Sequence, residues 1–106
     1  MPKKRPEEED GVVTQSETKP QVEPPRMFKV LLHNDNYTTM DFVVFILTNI
    51  FHKSEEDAVQ IMVNVHRKGI GLAGLYQYDI AETKMQTVLQ MAKEAEFPLQ
   101  CSMEPE

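Results

Sequence analysis

The feature that most constrains this chain is an abrupt change of pattern between residues 27 and 43. Met27-Phe28-Lys29-Val30-Leu31-Leu32 is an apolar run of strand length, and Met40-Asp41-Phe42-Val43 opens a segment with helical spacing. Between them lie His33-Asn34-Asp35-Asn36-Tyr37-Thr38-Thr39, a polar stretch with three consecutive turn formers. Asn-Asp-Asn reaches unusual backbone angles readily and aims several side-chain oxygens at one spot. Such a cluster of acceptors suits a cationic guest. It equally suits a plain turn that caps the next helix, and the local sequence leaves both readings open.

The rest of the chain divides into an arm and a domain. Residues 1–25 hold most of the seven prolines, are rich in Lys, Glu, Gln and Thr, and offer only Val12, Val13 and Val22 as large apolar side chains after the first methionine. A segment of that composition cannot offset its ordering entropy by burial, so a disordered N-terminal arm is expected. Residues 26–106, roughly eighty residues, are enough for one modest core that hides about 60% of the unfolded surface.

Periodicity within that domain predicts three helices. The first runs from Thr39 to Phe51, with Thr38 as N-cap, Asp41 three residues on, and Val43, Ile46, Leu47, Ile50 and Phe51 as its apolar stripe. The second opens at the capping box Ser54-Glu55-Glu56-Asp57 and buries Ala58, Ile61, Met62 and Val65. It closes on His66, Arg67 and Lys68 before Gly69, cations and a glycine where the helix dipole and the C-cap favour them. The third repeats the capping box with Asp79 and Glu82 and buries Ala81, Met85, Val88, Leu89 and Ala92, with Pro98 as its stop. Ile70 to Tyr76 reads as a glycine-rich strand, and Leu99-Gln100-Cys101-Ser102-Met103 alternates like another. The expected order is strand, helix, helix, strand, helix, strand. That is an α+β domain with a small three-stranded antiparallel sheet packed on three helices.

Several chemistries are disfavoured. A formal net charge of -6 argues against a nucleic-acid surface, and no apolar run is long enough to span a bilayer. One cysteine cannot form an intramolecular disulfide, and no stretch reads as a signal peptide, so the expected compartment is the reducing cytoplasm. Cys101 reads as a packing thiol more readily than as a nucleophile. His33, His52 and His66 show no metal-site spacing, and no cofactor is expected. Gly69-Ile70-Gly71-Leu72-Ala73-Gly74 matches G-x-G-x-x-G literally, but it follows a helix and lies in a predicted strand. A dinucleotide fingerprint follows a strand and opens a helix, so close backbone packing is the better account.

Three blocks together carry a family resemblance: Lys29 to Val43, then Val65-His66, then Ala81-Glu82-Thr83-Lys84. In order and separation they resemble the bacterial ClpS adaptors over about Pro24 to Met103. The resemblance implies an adaptor of the N-degron pathway, not an enzyme. It binds proteins that begin with Leu, Phe, Tyr or Trp and delivers them to the amino-terminal domain of the ClpA unfoldase of the ClpAP protease. A monomer is expected. An α-ammonium presents three donors and a charge, so its site needs convergent acceptors and negative potential. By the resemblance, Asn34, Asn36 and His66 supply the acceptors, with Asp35 adding longer-range attraction. The matching side-chain pocket is Thr38, Met40, Val43, Met62, Val65 and Leu99, where methionines adapt to ring and branched guests alike. Asp79, Glu82, Thr83 and Lys84 match the unfoldase-docking edge, although their composition alone reads as a cap and a solvated face. The arm is expected to assist delivery.

Two departures stand out. The family usually has Asp at position 36, where an amide accepts but brings no charge, and Thr39 replaces a frequent proline at the helix start. Two other classes fit parts of the sequence. A hydrolase would use Asp35 and His66 as acid and base on a bound peptide terminus, but it lacks a nucleophile or metal. A general interaction module is the other, since the element order also resembles the C-terminal domain of the bacterial ribosomal stalk protein.

Overall fold

The computed structural model describes residues 23–106, so the arm lies almost entirely outside the described residues. Six elements follow in the expected order: β1 (Met27–His33), α1 (Met40–Asn49), α2 (Glu55–Lys68), β2 (Ile70–Gln77), α3 (Tyr78–Glu94) and β3 (Gln100–Pro105). The most apolar strand takes the middle of the sheet, in the order β2-β1-β3, and both pairings are antiparallel. Val30 and Leu32 of β1 are fully buried and meet the helix stripes through Ile46, Leu47, Ala58, Ala81 and Val88. These helices cover one face of the sheet.

The β1–β2 register slips once, because Val30 pairs with Gly74 and Leu31 with Leu72. Ala73 is the extra residue of the resulting bulge and sits fully buried. The three glycines of the false fingerprint have separate structural uses. Gly69 caps α2 in the left-handed region at φ 86°, where a side chain would be strained. Gly71 lets Val65 approach, and Gly74 lies under the Tyr76 ring.

Helix starts differ from expectation in two places. Thr39, not Thr38, caps α1, its hydroxyl accepting from the Phe42 N–H at 3.1 Å. The Thr38 hydroxyl is instead turned to donate to Asp35 Oδ2. A proline at 39 could not offer that capping oxygen, so the threonine found there has a local use. At α3 the strand passes directly into the helix, which leaves Gln77 as N-cap with no side-chain cap bond. Asp79 therefore stands in the first turn, where its charge complements the dipole, and does not cap. Ser54 caps α2 as expected, accepting from Asp57 N–H.

Candidate functional site

The polar turn and the end of α2 meet at one end of the sheet because β2 starts beside the residue where β1 stops. His33 pairs with Ile70, and the preceding residue, Gly69, is the α2 cap. The Asn34 N–H donates to the Gly69 carbonyl at 3.0 Å, which ties the turn to the helix that carries His66. The sequence gap of more than thirty residues between Asn34 and His66 is closed by that one backbone bond and the strand pair beside it.

A cavity of about 420 Å³ opens at this junction. Asn34, Asp35, Asn36 and His66 contribute polar walls, together with Tyr37, Thr38 and Thr39. Met40, Val43, Met62 and Val65 contribute the apolar part. Val43 and Val65 are also members of the buried core, so the cavity is lined by core side chains with one wall missing. Met40 is half exposed at 50% and stands where α1 begins. No side-chain hydrogen bond among the described residues uses the Asn34 or Asn36 amide or the His66 ring. Their acceptor capacity is free for a guest.

Asp35 is different. Its Oδ1 accepts from the backbone N–H groups of Tyr37 and Thr38, each at 2.7 Å, and its Oδ2 accepts from the Thr38 hydroxyl at 2.6 Å. Burial pushes its carboxyl up, but the three bonds outweigh that effect and hold it below the usual aspartate value.

Leu99 does not reach the cavity. It is 3% exposed and belongs to the core cluster with Val43 and Val65, so it backs the wall without lining it. Tyr37 and Thr39 do line it, although the sequence reading gave them no part there; the signal was their place inside the turn. Of the expected docking residues, Asp79, Glu82 and Thr83 are exposed on the first turns of α3 beside exposed Tyr78 and Ile80. Lys84 is half-buried, and its Nζ donates to the Ile50 carbonyl at 2.6 Å, beneath the Phe51 and Tyr76 rings. It closes the C-terminus of α1, which has no basic residue in its own last turn. Cys101 is buried, and burial pushes its thiol up to about 12, which leaves no thiolate for nucleophilic chemistry near neutral pH.

The family model described as "ATP-dependent Clp protease adaptor protein ClpS" matches residues 23–102. The chain belongs to the ClpS family. The ClpS adapter of Myxococcus xanthus is 57% identical over 100 residues, covering 94% of this chain and 94% of its relative. That of Desulfatibacillum aliphaticivorans is 55% identical over 101 residues, covering 95% and 96%. Among solved structures, Agrobacterium tumefaciens ClpS2 bound to L-phenylalaninamide superposes with a TM-score of 0.75 at 40% identity, covering 78% of this chain and all of that one. ClpS proteins are adaptors of a protease and not catalysts, which removes the hydrolase alternative for this chain. Among the described residues, no helix is long and apolar enough to cross a membrane.

Proposed function

We propose that this ClpS protein binds the first residue of proteins that begin with Leu, Phe, Tyr or Trp and delivers them to the ClpA unfoldase in the cytoplasm. The observation that carries this reading is the two-part cavity, with free acceptors on Asn34, Asn36 and His66 beside an apolar recess of Met40, Val43, Met62 and Val65. A ligand for such a site carries a cation and a bulky apolar group on adjacent atoms. An amino-terminal residue does so. The phenylalaninamide on the ClpS2 neighbour is a ligand of this kind, with a free ammonium, an aromatic ring and an uncharged amide where a chain would continue.

In this reading the ammonium donates to Asn34, Asn36 and His66, and the first side chain enters the recess with Thr38 on one wall. Asp79, Glu82 and Thr83, exposed at the start of α3, are the contacts offered to the unfoldase, and Lys84 supports them from behind. The arm extends the reach of delivery.

The test is anisotropy of a labelled Phe-starting peptide against its N-acetylated twin. Acetylation should abolish binding, and Asn34→Ala or His66→Ala should each cost about 2 kcal/mol or more, because a cation in a partly dry site is left underpaired. Equal binding of the acetylated peptide would overturn the assignment.

A further inference from the structure

Asp35 sits in the middle of the acceptor turn, and the direction of its bonds separates it from its neighbours. A carboxylate offers about four acceptor positions. Three of them are filled from within the loop, by two backbone amides and one hydroxyl, all two or three residues ahead and all at 2.6 or 2.7 Å. Charge-assisted bonds of this length are roughly twice as strong as neutral ones. The loop is therefore folded around the carboxylate.

The residue held most firmly is Thr38, which donates both a backbone and a side-chain bond to the carboxylate and lines the cavity. The residue after it caps α1, and the next is Met40 at the rim. On the other side of Asp35, Asn34 is fixed by its bond to Gly69, and Asn36 is spanned by the bonds to Tyr37 and Thr38.

We propose that Asp35 is a positioning residue for this site: its carboxylate latches Thr38, and so sets Asn34 and Asn36 against Thr38 and Met40 at one fixed separation. It acts through Thr38 and not as the counter-ion of the ammonium. The latch links the acceptors of the turn to the start of α1, since Thr38 lies between Asn36 and the Thr39 cap that precedes Met40. The inference rests on the reading that the cavity takes an amino-terminal residue.

Charge and geometry are separable by substitution. Asp35→Ala removes every bond of the latch, whereas Asp35→Asn keeps an oxygen for the two backbone amides and an amide that donates to the Thr38 hydroxyl. Thr38→Val removes the hydroxyl and keeps the shape. The experiment measures binding of Phe-, Leu-, Tyr- and Trp-starting peptides to each variant at about 0.05 M and about 0.5 M salt, where the Debye length falls severalfold. Asp35→Ala should lose about tenfold or more for all four peptides, a loss of the size expected for bonds to a charged group. Asp35→Asn should keep most of the affinity, the alanine loss should be the same at both salts, and Thr38→Val should cost nothing further in the Asp35→Ala background. A direct counter-ion gives the opposite pattern. Asparagine would then lose as much as alanine, the loss would shrink in high salt, and the Thr38 effect would add in full; any one of these overturns the latch. If Asp35→Ala fails to fold, the Asp35→Asn comparison across salt decides alone, with retained affinity supporting the latch and a salt-sensitive loss refuting it. The acetylated Phe peptide on the unmutated protein tests the underlying reading independently of every variant.

Discussion

Gly71 offers a way to change the depth of the cavity without touching its mouth. A Cβ built at this position would lie 2.5 Å from Val65 Cγ2, 3.3 Å from the Ile61 carbonyl oxygen and 3.5 Å from Ile61 Cγ2. Carbon atoms sit comfortably at about 3.5–4.0 Å, so Val65 would have to retreat by about 1 Å. A helical valine has one strongly preferred rotamer and cannot simply swing away. Ile61 belongs to the same helix, so the push falls on α2 as a body and displaces Val65, which also lines the cavity. Overpacking of this kind costs about 1–3 kcal/mol of stability. Gly71→Ala should therefore lower the melting temperature and weaken Trp-starting peptides by about tenfold relative to Leu-starting ones, a differential of about 1.4 kcal/mol. The assay is a set of anisotropy titrations with peptides that differ only in the first residue, alongside a thermal melt. Adding Val65→Ala to Gly71→Ala should relieve the contact and restore Trp. An equal loss for all four peptides, or a double variant that still discriminates against Trp, would refute the argument that Gly71 sets the depth.

Asn36→Asp should tighten every first residue alike by a net of about 1–2 kcal/mol, because two charges about 4 Å apart at a dielectric near 20 attract by roughly 4 kcal/mol before desolvation is subtracted; a gain confined to one first residue would mean that position 36 does not face the ammonium. Met40→Ala should admit Ile- and Val-starting peptides, whose bulk at the β-carbon meets the rim at Met40 in the parent; uniform loss in the same titrations would make Met40 ordinary packing. Gly69→Ala should lower affinity for all peptides through strain at φ 86° and a displaced Asn34, and Gly69→Asn, which tolerates that region better, should recover most of it. Lys84→Met should lower stability by about 1–2 kcal/mol in a thermal melt, with peptide affinity unchanged, since it removes the bond that closes α1; unchanged stability with lost unfoldase docking would make Lys84 a direct contact instead.

The element order was legible because each helix carries its own apolar stripe, and Ser54 and Gly69 sit at boundaries where cap chemistry leaves little choice. The misplaced cap at Thr38 shows where that legibility ends. Thr38 and Thr39 are equally able to cap, and local sequence does not say that the Thr38 hydroxyl is turned to Asp35 while the Thr39 hydroxyl faces the Phe42 N–H. Gln77 was missed for the opposite reason, since a strand that runs straight into a helix needs no capping side chain to announce it. Leu99 was given a pocket role through the family resemblance, and neither its burial nor the partner that Lys84 finds thirty-four residues away can be read from local pattern. The bulge at Ala73 is likewise a consequence of pairing with β1, invisible in β2 alone.

The two ends of α1 connect the separate parts of the surface. Its N-terminus, through Thr39 and Met40, belongs to the cavity, and its C-terminus, through the Ile50 carbonyl, is held by Lys84 of α3. Ten helical residues between them make a strut of about 15 Å. Val43, Ile46 and Leu47 bury that strut in the core, so it cannot slide or tilt without opening the domain. In the proposed reading, with the start of α3 offered to the unfoldase, a short, buried helix preceded by the Asp35-bonded turn and held at its other end by Lys84 keeps guest and docking edge at a fixed separation. It also explains why this chain keeps two charged side chains turned inward on its own backbone, at places where exposed charges would otherwise be read as ligands.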